Sequence, residues 1–186
     1  MPCVSRAVPA RAAGLGTLGP VIYPIRRYGD PVLSSPAAPV ADFTAVAALA
    51  DAMFESMHEA EGIGLAAPQV GISLRFFVYD LAGFGKGVVC NPELVATGEL
   101  SDHIEGCLSL PGLSGVTVAR PGLVTVRGAD EAGAPLLLSG EGLAAALLCH
   151  ESDHLRGKLI LDVAPKPERK RALREWRELA LGAPAG

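Results

Sequence analysis

One helical face constrains this chain more than any other feature. Leu143, Leu147, His150 and His154 recur at 4-3-4 spacing between about Gly142 and Leu155, and Gly157 is placed to stop a helix there. Residues so spaced share one side of a helix. The face begins apolar, so both imidazoles on it point inward and the rest of the chain has to pack around them. An inward pair of histidines is either a pair of core groups satisfied by hydrogen bonds or two ligands of one metal ion. In the second case Glu151, between them, is placed to act as base for a metal-bound water. Two upstream segments favour the metal: Gly62-Ile63-Gly64-Leu65-Ala66-Ala67-Pro68-Gln69 and Glu105-Gly106-Cys107-Leu108-Ser109.

The surrounding pattern predicts an α+β fold: mixed, largely antiparallel strands packed around a central metal-binding helix, with an N-terminal and a C-terminal helix. Asp42 is a good N-cap for a helix over 43–60, in which Val46, Leu49, Met53 and Met57 recur, ended by Gly62. Strands are expected at 74–80, Gly87–Asn91, Val116–Val118, Leu123–Arg127 and Pro135–Leu138. The C-terminal helix, about 166–181, sets Leu173, Trp176, Leu179 and Ala180 against alternating charges. It is assigned to packing, because Glu168, Glu175 and Glu178 interrupt any basic nucleic-acid-binding face.

At 186 residues the chain is long enough for one domain with a real core, placed at 21–182. A hydrophobic fraction of 49% and a net charge of −4 argue against a disordered or nucleic-acid-binding chain. No apolar run approaches the ~20 residues of a membrane span. Residues 1–20, rich in Ala, Gly and Pro, with Arg6 and Arg11 and no acid, read as a disordered extension or a leader. An organellar import peptide is the alternative. Without a secretory signal, Cys3, Cys90, Cys107 and Cys149 read as reduced thiols.

A hydrolytic metal site keeps one position open for water, so three protein ligands suffice. Cys107 is the natural third, a soft thiolate in a Gly-Cys turn. Cys149 is a rival turned about 100° from His150 on a helix, and Cys90 reads as a small core residue. His58 and His103 read as surface residues. Asp153, off the ligand stripe, is suited to orienting an imidazole or pairing with a base, and Arg120 is the nearest candidate. The glycines around residue 63 would let a peptide exchange backbone hydrogen bonds in β fashion. Gln69 offers an uncharged amide to a developing oxyanion, unless it merely caps its loop.

These three segments, in this order, resemble those of peptide deformylase: Gly62–Gln69, Glu105–Ser109 and His150–Leu155, with weaker similarity over about 21–178. The resemblance implies removal of the formyl group from N-formylmethionyl nascent polypeptides, encountered at the ribosome, without DNA or membrane. It implies Cys107, His150 and His154 as metal ligands, for Fe2+ or, as substitutes, Zn2+, Ni2+ or Co2+. Glu151 becomes general base and then acid, Gln69 and the backbone N–H of Leu108 stabilise the oxyanion, and Gly62, Ile63 and Gly64 line the peptide's path. The expected compartment is the bacterial cytoplasm, or a mitochondrion or plastid if residues 1–20 are an import peptide. One departure stands out: several bacterial members carry an Arg soon after the Cys segment, where this chain reads Pro111-Gly112-Leu113-Ser114-Gly115.

Two other readings compete. A zinc metalloprotease also carries His-Glu-x-x-His and would take a third ligand downstream, for which Glu175 is the candidate, but that leaves Cys107 and Gln69 without a role. A non-catalytic metal- or peptide-binding module would be expected to lose Glu151 or Gln69, and both are present.

Overall fold

The computed structural model describes residues 21–182, so the segment read as an extension or leader lies outside the described residues. Helix α1, Val46–Glu59, buries Val46, Ala50, Met53 and Met57, the inward face its periodicity predicts. It starts later than expected. The N-cap is Ala45, with no side-chain cap, because Asp42 spends its carboxylate one turn early, accepting the Thr44 N–H at 2.9 Å.

Five strands follow the chain in spatial order, β1 (Gly64–Ala66), β2 (Phe76–Leu81), β3 (Gly85–Glu105), β4 (Val116–Ala129) and β5 (Pro135–Glu141). Every pairing in this sheet is antiparallel. The expected mixture therefore reduces, among the described residues, to one isolated parallel bridge, Ala38 to Leu74. Strand β3 is 21 residues long, whereas the sequence pattern marks only Gly87–Asn91. The two short strands expected at 116–118 and 123–127 are one, β4. Most of the β3 residues between Glu93 and Ile104 are exposed, so no alternation marks them as strand. The register also slips at Cys90/Glu93 and Thr97/Leu100. Strand β1 falls where the sequence suggests a loop, since a strand with all three residues buried has no alternation either.

Helix α2, Leu143–Leu155, lies against the concave side of this meander. Ala145, Leu147, Leu148 and Leu155 pack with Phe77, Tyr79, Val89, Val124 and Val126. Fully burying side chains such as Phe77 or Leu148 contributes roughly 1.5–3 kcal/mol each. A short helix the sequence did not signal, α3 (Ile160–Val163), buries Ile160 and Leu161. They pack with Leu110, Val116, Val118 and Ala172, the last on α4 (Lys166–Gly182). Leu173 and Trp176 of α4 also face this cluster, whereas Leu179 and Ala180 stay exposed. Among the described residues no helix is long and apolar enough to cross a membrane.

This packing brings together three distant stretches: the segment entering β1, the loop from β3 to β4, and the second half of α2.

Candidate active site

Helix α2 supplies two imidazoles whose Nε2 atoms lie 3.2 Å apart. The β3–β4 loop delivers Cys107 Sγ to 3.4 Å from His154 Nε2. One donor atom from each of Cys107, His150 and His154 falls within 4.8 Å of the others. A tetrahedral ion with nitrogen at ~2.0–2.1 Å and sulfur at ~2.3 Å needs donor separations of about 3.3–3.6 Å. The observed spacings match, and the mixed thiolate–imidazole set suits a divalent transition metal.

The rings are aimed from behind. His150 Nδ1 pairs with Glu105 Oε2 at 2.8 Å, which leaves Nε2 for the ion. Arg120, 5% exposed on β4, donates to both oxygens of Glu105, from Nε at 2.6 Å and Nη2 at 2.9 Å. Its remaining Nη1 donates to Asp153 Oδ2 at 2.7 Å. The expected Asp153–Arg120 pair is thus present, and Glu105 is the member of the network that sequence reading missed. Burial works against the charge on Glu105, but the Arg120 and His150 hydrogen bonds outweigh it and hold the carboxyl down, at about 2. Burial also opposes charge on His150, yet hydrogen bonds with Cys107 and Glu105 raise its pKa well above the ordinary value. His154 is pushed the other way, by burial and by the facing His150.

Glu151 is 3% exposed, and its Oε2 has no hydrogen-bond partner among the described residues. Burial pushes its pKa up to about 7, with His150 opposing and Glu105 and Asp153 adding. A carboxyl poised near neutrality can take and return a proton. Gly64 explains how the group is housed. A Cβ there would overlap Glu151 Oε1 and come within 2.5 Å of Leu147 Cδ1, so close approach, not a turn, requires glycine.

Gln69, 1% exposed, takes the loop-capping role that its sequence context offered as the alternative. Its Oε1 accepts the Ala66 N–H at 2.8 Å, closing the local loop. That anchorage turns Nε2 toward Ser109 Oγ at 3.2 Å and Cys107 Sγ at 3.8 Å. Nearby, the Leu108 N–H finds no backbone acceptor among the described residues. Ser109, fully buried, was not anticipated. Neither was the arm at 21–28, whose Arg26 N–H bonds Gln69 O at 2.7 Å and whose Tyr28 N–H bonds Ser109 O at 2.9 Å. Signals for these were absent, since backbone partners of distant loops leave no local pattern. Gln69, Cys107, Leu108, His150 and Glu151 line a cleft of about 1110 Å³, with Gly62, Ile63 and Gly64 along one wall.

The rival residues fall elsewhere. Cys90 is fully buried among core side chains, and burial pushes its thiol up to about 12. Cys149 packs in the core beneath α2, its thiol also raised by burial. His58 is exposed and pairs with Asp80 at 3.0 Å. His103 is half-buried on the cleft wall, 3.1 Å from Ser101 Oγ. Glu175, the protease-type ligand candidate, is engaged by Ser114 and Arg171.

Residues 22–170 match the family described as polypeptide deformylase. The chain belongs to the polypeptide deformylase family. A peptide deformylase of Acidothermus cellulolyticus is 46% identical over 158 residues, covering 84% of this chain and 87% of that protein. The crystal structure of peptide deformylase from Thermus thermophilus superposes with a TM-score of 0.79 at 44% identity, covering 86% of this chain and 96% of that one. The enzyme of Synechococcus elongatus, solved in complex with actinonin, gives a TM-score of 0.78 at 37% identity, covering 85% and 89%. As a polypeptide deformylase, the chain is a metal-dependent hydrolase that removes the N-formyl group from nascent polypeptides, and the alternatives of a metalloprotease and a non-catalytic module fall away.

Proposed function

We propose that Cys107, His150 and His154 hold Fe2+, with Zn2+, Ni2+ or Co2+ as substitutes, and that deformylation proceeds through the residues around them. When bound, the ion supplies Lewis acidity and lowers the pKa of a water. Gly62, Ile63 and Gly64 present backbone to an extended peptide whose methionine side chain enters the apolar part of the cleft. The formyl oxygen accepts hydrogen bonds from Gln69 Nε2 and the Leu108 N–H, both of which grow stronger as negative charge develops on it. Glu151 takes a proton as the water oxygen bonds to the formyl carbon. It returns that proton to the departing nitrogen as the carbon–nitrogen bond breaks, leaving formate and a free α-amine. The observation that carries this reading is a cleft lined by Glu151, whose Oε2 is unpartnered, by Gln69 and Leu108, and by Cys107 and His150, with His154 completing the donor set beneath it.

The test couples metal analysis of anaerobically purified protein to formate release from formyl-Met-Ala-Ser. The expected result is one transition metal per chain, iron in the most active form, and activity lost on chelation and restored by Fe2+. Activity that persists after the metal is stripped would defeat the assignment.

The nascent substrate supports encounter at the ribosome. So does a row of exposed cations on α4, Lys166, Lys170, Arg174 and Arg177, at a spacing that gives one helical face. Glu168 and Glu175 are turned onto Arg171 and the neighbouring loop, whereas Glu178 stays exposed beside the row and offsets one of its charges. The bacterial relatives favour a bacterial cytoplasm over an organelle. Residues 21–182 are taken as the single catalytic domain, so deleting residues 1–20 is expected to leave formate release unchanged. If that segment is an import peptide, fusing it to a reporter would send the reporter to an organelle of a eukaryotic cell.

A further inference from the structure

The loop from Gly106 to Gly115 carries more of the site than any other, yet its sequence is poorly suited to holding a shape. It contains Pro111, Gly112 and Gly115, the two glycines with φ of +81° and +86°. Cys107, Leu108 and Ser109 stand at its start, and Pro111, Gly112 and Leu113 form a wall of the cleft. The loop's far end is gripped from outside by α4. Glu175 accepts from the Ser114 N–H at 2.7 Å and from Ser114 Oγ at 2.8 Å. Arg171 donates to the Gly115 carbonyl at 2.6 Å and to Ser114 Oγ at 3.1 Å. The two gripping side chains are locked to each other at 3.0 Å, and Glu168 adds a second tie to Arg171 at 2.9 Å. Leu179 of the same helix lies 3.6 Å from where a Cβ on Gly112 would stand. Charge-assisted bonds of this kind are short and directional. Here they close on backbone and on one hydroxyl, so they fix position without touching the cleft.

We infer that Arg171 and Glu175 are positioning residues that set the cleft wall at Pro111–Leu113 for the part of the peptide beyond its first methionine. No cation stands in the loop itself between residues 111 and 115 to do this. Leu110 and Leu113 anchor this wall from beneath in the cluster shared with α3 and α4, and the ties from α4 hold its far end. The inference rests on the reading that this cleft seats the formylated peptide.

The experiment compares metal-loaded full-length wild type with Arg171→Ala on formyl-Met-Ala and on formyl-Met-Ala-Ser-Val. For the longer peptide KM is expected to rise about three- to tenfold, the range that loss of an off-site tie produces. For formyl-Met-Ala, KM and kcat should stay within about twofold, with metal stoichiometry unchanged. Ser114→Ala removes the hydroxyl's share of the grip, leaves the two backbone ties and spares α4, so it keeps the test open if the arginine variant loosens the helix. It should show the same length dependence at smaller amplitude, and the double variant should lose less than the sum of the two single effects. Equal effects on both peptides, or none on either, would overturn the inference. Wild type that releases no formate would instead overturn the reading of the cleft on which it stands.

Discussion

Replacing Arg120 by methionine keeps most of the side chain's bulk and removes the charge that three short bonds depend on. Glu105 and Asp153, 8% and 13% exposed at their side chains, would then face each other's neighbourhood with no cation between them. Removing one partner of a buried ion pair costs about 3–5 kcal/mol, because the charge left behind stays desolvated. In a domain of this size 1 kcal/mol moves Tm by about 2–4 °C, so R120M should melt roughly 6–20 °C below wild type. The site should suffer separately. Glu105, no longer held by Arg120, loses its fixed position behind His150 Nδ1, and loss of such support typically costs about 10–100-fold in metal affinity or activity. Thermal melts of the metal-free protein report the first effect, and chelator competition reports the second. Adding Glu105→Gln to R120M should recover part of the lost stability by removing one stranded charge. A single variant that melts within about 2 °C of wild type and holds metal equally well would show that the network carries neither load.

Glu151→Ala should keep the fold and the metal but lose about 10²–10⁴-fold in turnover, and retention of more than about a tenth of the activity would remove Glu151 from the mechanism. Gly64→Ala forces a methyl against the Glu151 carboxylate and Leu147. It should lower kcat while leaving metal content intact, and wild-type kcat would mean that the glycine is not fixed by Glu151. Cys107→Ser should release metal at chelator concentrations that wild type resists, since an alcohol is a far poorer donor than a thiolate. Equal retention would point to another ligand.

The parts of this molecule that were legible from its sequence are those in which a local period carries the information. The stripe through Leu147, His150 and His154 needed only helical geometry to bring its donors together. Arg120 could be matched to Asp153 because Asp153 lies in the motif but off the ligand stripe, while Arg120 is a base in an otherwise apolar segment. Where burial is uniform or absent, the period vanishes. Gly64, Leu65 and Ala66 are buried on both sides, and β3 beyond Glu93 is exposed on both. Strand β1 and most of β3 were therefore invisible for opposite reasons. Glu105 and Ser109 escaped assignment of a role for a third reason: both face elements far away in the chain, and no spacing encodes which.

Strand β1 lies at the border of the sheet, and an unpaired border ordinarily invites other chains to stack on it. Here the invitation is rationed. Of the residues entering and forming this strand, only Gly62 and Ile63 are exposed or half-exposed, while Gly64 to Ala67 are buried, and Pro68 begins a turn that Gln69 closes. A docked strand must therefore stop after two or three residues. The same shortness leaves the border little length on which another chain could stack and seed aggregation.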